Sequence, residues 1–158
     1  MLDCSQLNHA WIAGHIPHQG SMCLLDCVEA WDKERIRCRA SSHRALDNPL
    51  RAHGRLGAAC GIEYAAQAMA VHGALQAPAD SIAPRAGYLV SVRGVQLQVA
   101  RLDDIAADLT VQANCIMRNE NNLLYQFSVS AAGQVLLAGR AAVVVNADLL
   151  NPTQENKP

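Results

Sequence analysis

The sequence predicts an α+β fold, an antiparallel sheet of about six strands wrapped round one long central helix. Three observations predict it. The stretch from Gly57 to Leu75 is Ala-rich and apolar almost all round. Two apolar or alternating stretches precede it, and four more follow in hairpin-like succession. An alternating period of two marks half-buried strands, and a helix greasy on every side needs a sheet to cover it. The length of 158 residues suits one domain. Residues 1–146 are assigned to it and residues 147–158 to a polar C-terminal tail.

The elements follow in order. Cys4 to Ala13 reads as a short helix with Ser5 as its N-cap, ended by Gly14 and the Ile16-Pro17 pair. A loop, Ile16-Pro17-His18-Gln19-Gly20-Ser21, leads to a dense apolar stretch, Met22 to Trp31, taken as a strand. Asp32-Lys33 turns the chain, and Arg35 to Ser41 alternates charged and apolar residues, so these two strands pair as a hairpin. Ser42 to Arg55 is polar and turn-rich, and a loop that long inside a compact domain is usually functional or mobile. Gly57 to Leu75 has no proline, and Ala is the best helix former. A connector with Pro78 and Pro84 spans Gln76 to Ala86. The remaining strands are Tyr88 to Leu102 with Gly94 as a bulge, Ala107 to Met117, Leu123 to Ala131 and Val135 to Val145. Such a sheet leaves an open edge, which predicts a dimer.

Composition excludes several functions. The formal net charge is −1, and Lys and Arg form no stripe, which argues against nucleic acid and against a polybasic membrane anchor. No apolar run approaches the roughly 20 residues that span a bilayer. The N-terminus lacks the basic start and apolar middle of a signal peptide, so a cytoplasmic location is expected. The 6 cysteines form no CxxC pair and are expected to be reduced, mostly buried small hydrophobes. No HxxxH, HxH, GxGxxG, GxxxxGK or GxSxG pattern occurs, so no metal, no cofactor and no serine nucleophile is expected.

Glu63 is the most informative residue, a carboxylate inside the apolar run Gly61-Ile62-Glu63-Tyr64-Ala65-Ala66-Gln67. Desolvation there would raise its pKa and suit it to general acid–base work. The plainer alternative is a first-turn acid that bonds free backbone N–H groups and faces water. Gln67 lies one turn later on the same face. His43 and His53 flank the loop before the helix, and His18 lies in the earlier Pro-His loop. Each is either a proton carrier near Glu63 or an ordinary surface or hydrogen-bonded residue. His72 lies about two and a half turns beyond Glu63, points away from it, and reads as structural.

Two stretches resemble the 3-hydroxyacyl-[acyl-carrier-protein] dehydratases. The first is Ile16-Pro17-His18-Gln19 with Met22 to Val28, similar to that family's Pro-His-Arg motif and following apolar run. The second is Gly61 to Gln67, similar to its helix segment in which Glu is followed by Ala-Gln. Asn48-Pro49-Leu50, Gly54-Arg55 and Gly61 to Tyr64 bring the chain nearest to the ApeP-like subgroup linked to aryl polyenes. The resemblance implies a hotdog fold, a substrate on the pantetheine arm of acyl carrier protein, and an active site shared across a homodimer or a heterodimer with a related hotdog subunit. It implies Glu63 as the acidic member of a catalytic pair. Gly61, Tyr64 and Gln67 are then expected around the substrate, with a backbone N–H near Gly61 polarising the thioester carbonyl. The standard enzymes carry their histidine in a Gly-His-Phe-Pro-Gly loop fourteen residues before the Glu, which this chain lacks. His53, ten positions before Glu63, is the first candidate for the catalytic imidazole and His18 the second. A hotdog thioesterase and a non-catalytic partner subunit are the alternative readings.

Overall fold

The computed structural model describes residues 4–77 and 87–145. Most of the proline-containing connector and the C-terminal tail fall outside them. The first helix, α1, spans His9–His15. The strands are β1 (Cys27–Trp31), β2 (Arg35–Ala40), β3 (Gly87–Leu97), β4 (Leu109–Asn119), β5 (Asn122–Ala131) and β6 (Gln134–Val145). The long helix, α2, is Gly61–Gln76, between β2 and β3 in the chain. The strands form one antiparallel sheet in the order β1-β2-β4-β5-β6-β3. This is the hotdog arrangement expected from the sequence.

Alternation decides which face of each strand is covered. Ile36, Cys38 and Ala40 of β2, Leu109, Val111 and Ala113 of β4, and Tyr125, Phe127 and Val129 of β5 all turn inward. They pack on Tyr64, Ala65, Ala68, Met69 and Val71 of α2. Burying each large apolar side chain contributes about 1.5–3 kcal/mol. The alanines let the helix lie close to the sheet, and among its residues only Gly73 is exposed. Gly94 has a φ of +61°, and the β3–β6 register shifts between Arg93 and Gln96, so the bulge expected there is present. β3 stands at the sheet edge with Leu89, Val90 and Leu97 at 42%, 54% and 49% exposure.

Several expectations change. Helix α1 begins later than expected, and its cap is Asn8 rather than Ser5: Asn8 Oδ1 accepts the Trp11 N–H at 3.0 Å. The strand expected from Met22 starts only at Cys27. Residues 20–22 form a 3-10 turn, and the Met22 and Leu24 backbone is held by the Gln67 side chain instead of a neighbouring strand. The cysteines are not all reduced. Cys4 and Cys27 form a disulfide, while Cys23, Cys38, Cys60 and Cys115 are free. The N-terminal segment is brought there by pairing with β1, where Val28 N–H donates to Leu7 O at 2.9 Å and Asn8 bridges Cys27. Sequence spacing alone does not show that neighbourhood.

Candidate active site

Two segments distant in sequence meet at the start of α2. A 3-10 turn, Ala58–Cys60, runs into the helix and puts Glu63 in its first turn. The lead-in is anchored to the loop before β4. Ala58 N–H donates to Ala100 O at 3.0 Å, Leu102 N–H to Leu56 O at 2.8 Å, and Leu56 N–H to Asp103 Oδ1 at 2.9 Å. Arg101 pairs with Asp103 and, with the Leu56 amide, holds that carboxyl far below the usual carboxylate range.

His18 arrives from the loop after α1, and its Nε2 lies 3.0 Å from Glu63 Oε1. Gln67 Nε2 donates to the same oxygen at 3.2 Å and to Met22 O at 2.7 Å, while its Oε1 accepts the Leu24 N–H at 2.9 Å. The amide orientation is settled by these partners, because a flip would set Oε1 against two acceptors and Nε2 against a donor. The His18 bond is the main influence that holds the Glu63 carboxyl below its ordinary range; partial burial pushes the other way, and the Gln67 bond adds to the lowering. Glu63 is therefore a carboxylate at neutral pH, which corrects the expectation that desolvation raises its pKa. Its side chain is 32% exposed and has two donors, so desolvation does not dominate. It is a first-turn acid, but its partners are side chains rather than free backbone N–H groups.

A carboxylate can only accept, so His18 Nε2 carries the proton. In the neutral ring the lone pair is then on Nδ1, which is buried and has no hydrogen-bond partner. Buried polar atoms without partners are few in native proteins, and each calls for an explanation.

His53 is elsewhere. It is exposed, at a φ of +53°, in a tight turn closed by Ala52 and Arg55. The structure brings His18 to Glu63 and leaves His53 at the surface of the chain. His43 is fully buried, its Nε2 shared between the Ile105 and Ala107 carbonyls at 3.0 Å each. His72 is fully buried between Tyr125 OH, 2.7 Å from Nδ1, and Asp32 O, 2.8 Å from Nε2.

The residues expected around the substrate are placed differently. Tyr64 and Gln67 are fully buried, with their polar atoms bonded to the protein. The Gly61 N–H turns back onto Ala58 O and Ala59 O, so it is not free to polarise a carbonyl. A Cβ on Gly61 would stand 2.5 Å from Leu137 Cδ2, so glycine lets the helix start touch β6. Sequence reasoning missed Ser42, and marked Asn48 only through the Asn48-Pro49-Leu50 resemblance; both hold Tyr64 from the long loop, a contact that the turn-rich composition of that loop does not show. Among the described residues no group of three or more His, Cys, Asp and Glu could hold a metal, and no helix is long and apolar enough to cross a membrane.

A six-stranded antiparallel sheet round one long helix, with an acid–imidazole pair at the helix start, defines a hotdog protein. The chain belongs to the ApeP-like dehydratase family, whose model, described as ApeP dehydratase, matches residues 11–154. Solved structures agree on the fold. A chain of the dehydratase heterocomplex ApeI:P from Xenorhabdus doucetiae is 23% identical, with 91% of this chain and 97% of that chain covered at a TM-score of 0.79. A thioesterase from Haemophilus influenzae is 12% identical, with 92% and 91% covered at 0.60. Zebra fish thioesterase superfamily member 2 is 10% identical, with 92% and 100% covered at 0.62. No curated protein matches the sequence significantly.

Proposed function

We propose that the chain dehydrates a 3-hydroxyacyl thioester, carried on the pantetheine arm of acyl carrier protein, to the trans-2-enoyl thioester. The reaction would serve fatty-acid or polyene-type lipid synthesis in the cytoplasm. The observation that carries the reading is the His18–Glu63 pair with its unpartnered Nδ1. The C2 proton is acidified by the thioester carbonyl. His18 Nδ1 takes that proton, C2=C3 forms, and the C3–O bond breaks. The departing hydroxyl takes the proton back from the imidazolium and leaves as water, so the ring ends neutral. Glu63 fixes the tautomer through Nε2 and stabilises the transient imidazolium. No metal or diffusible cofactor takes part in this scheme.

The match to a heterocomplex and the free apolar edge at β3 favour work beside a second, related hotdog subunit. That subunit would either complete the tunnel of this chain or be the active member of the pair. A hotdog thioesterase remains the other reading, supported by fold neighbours of lower TM-score. Product analysis separates the three. The purified chain, alone and mixed with a related subunit, is given 3-hydroxyacyl carrier protein. Loss of one water from the carrier-bound acyl group supports the dehydratase, and free acid supports the thioesterase. Dehydration that appears only in the mixture and survives Glu63→Gln in this chain supports the partner role. Glu63→Gln is expected to abolish turnover with the fold retained, by the roughly 10²–10⁴-fold that a positioned acid–base group contributes.

A further inference from the structure

Leu24 is held from both sides by side chains. Its N–H donates to Gln67 Oε1 at 2.9 Å, and its carbonyl accepts from Ser42 Oγ at 2.8 Å. Ser42 has one hydroxyl proton, and a carbonyl can only accept, so that proton goes to Leu24. The Tyr64 hydroxyl, 2.7 Å from Ser42 Oγ, must therefore donate to it. Asn48 Nδ2 in turn donates to the Tyr64 oxygen at 3.1 Å and to Ser42 O at 2.9 Å. Asn48 Oδ1 accepts the Leu50 N–H at 2.9 Å. The bonds run without a gap from the long loop, through Tyr64 and Ser42, to Leu24, Gln67 and Glu63.

We infer that Ser42 is a positioning residue of the active site, acting through Leu24 and Gln67 to hold the Glu63 carboxylate toward His18. The inference rests on the proposed dehydratase reading for its kinetic part. Leu24 N–H is the only partner of Gln67 Oε1 among the described residues, and that bond keeps the amide from turning. With Leu24 fixed, one Nε2 hydrogen points at Glu63 Oε1 and the other at Met22 O, in the segment that follows His18. With the Ser42 hydroxyl gone, the Leu24 carbonyl loses its donor, the segment is free to shift, and the Gln67 amide is free to turn away. Side-chain networks of this kind fix one arrangement only while every member is satisfied.

The test uses Ser42→Ala, Ser42→Thr and Ser42→Cys in the full chain. Glu63 titration is followed by carbon NMR of its side-chain carboxyl, with no substrate present; His18 is the ionisable side chain hydrogen-bonded to Glu63. Ser42→Ala is expected to raise the Glu63 midpoint and to lower kcat about 10-fold with KM changed less than about twofold. Ser42→Thr, which keeps the hydroxyl, is expected to restore both. If Ser42→Ala does not fold, Ser42→Cys takes its place, because it keeps a side chain of similar shape and replaces the hydroxyl donor to Leu24 O with a much weaker one. A folded Ser42→Ala or Ser42→Cys with an unchanged Glu63 midpoint overturns the inference. So does a midpoint shift that Ser42→Thr fails to reverse. Wild-type chain without dehydration overturns the functional reading alone, because the titration still judges Ser42.

Discussion

His18 and Glu63 share a hydrogen bond of 3.0 Å although one comes from the loop after α1 and the other from the first turn of α2. The bond orders the whole site. It makes Nε2 the protonated nitrogen, keeps Glu63 ionised against partial burial, and leaves Nδ1 as the nitrogen that can take a proton. The chemistry of the pair is thus set by local contacts within one chain.

The first prediction separates the two candidate imidazoles. His18→Ala is expected to lower kcat by about 10²–10⁴-fold, the range for losing a positioned base. His53→Ala is expected to leave kcat within about twofold, because its side chain is exposed and away from Glu63. His53→Gly is expected to keep stability within about 1 kcal/mol, since glycine fits a φ of +53° but gains freedom in the unfolded chain. Dehydration assays and thermal melts on the three variants check this. Loss of turnover in His53→Ala with full turnover in His18→Ala would reverse the assignment.

How much of this was legible in the sequence depends on range. The α2 stretch and the four strands after it were legible, because alternation and an Ala-rich run are local signals that the sheet and core obey. Glu63 was legible as a charge in an apolar run. Its partner was not, because the choice between His18 and His53 depends on how a loop folds back over the helix. The ionisation of Glu63 was misread for the same reason: its burial and its neighbour Gln67, one helical turn on, can be read from the sequence, but the His18 donor cannot. Ser42 carries no signature, and Asn48 is legible only as part of the Asn48-Pro49-Leu50 stretch; neither can be tied to Tyr64 until the fold places it between them.

A second prediction concerns acid. Burial holds both His43 and His72 below the ordinary imidazole value of 6.5. His72 must donate from Nε2 to Asp32 O, so its Nδ1 accepts from Tyr125 and Gln76, and a proton there would oppose both donors. The unfolded chain takes up protons near 6.5 while the folded chain resists until lower pH. Between the two values the unfolded state holds more protons, so stability rises with pH there and is lost as pH falls below about 6.5. Glu63, with its depressed value, keeps its contribution until pH falls below the ordinary carboxylate range. Melts from pH 8 to about 4 are expected to show a declining Tm that starts below neutrality. His72→Gln is expected to start lower but to decline less over the imidazole window. A flat profile in the wild type would contradict this account.

A third prediction follows from the close approach of α2 to β6. Gly61→Ala puts a methyl 2.5 Å from Leu137 Cδ2, and Leu137 is itself fully buried and has little room to yield. Overpacking of this kind costs about 1–3 kcal/mol. Either Leu137 changes rotamer or the helix start tilts, and a tilt carries Glu63 with it. Denaturant unfolding is expected to show the loss, with a fall in kcat beyond what the unfolded fraction explains. Leu137→Ala in the same chain should recover part of the Gly61→Ala kcat by making space, even though it adds its own cavity cost. No recovery would mean that the clash is not the cause.

The last prediction concerns the Cys4–Cys27 disulfide, which closes the segment that contains α1, His18, Met22 and Leu24. Disulfide closure of a loop of this length stabilises a fold by roughly 3 kcal/mol, chiefly by limiting the unfolded chain. Denaturing alkylation of the purified chain is expected to modify the four free cysteines without reductant and all 6 after it. Cys4→Ser is expected to lower Tm and to abolish its dependence on reductant. The Val28–Leu7 backbone bond and the buried Leu7 remain in that variant, so the N-terminal segment should stay docked and the His18–Glu63 pair should persist. Turnover is therefore expected to fall by less than about threefold below the melting transition, well short of the loss of a positioned base. Six reactive thiols before reduction would show that the pair is open in solution. A loss of turnover as large as that of His18→Ala would show that the disulfide, rather than backbone pairing, holds the loop over the helix.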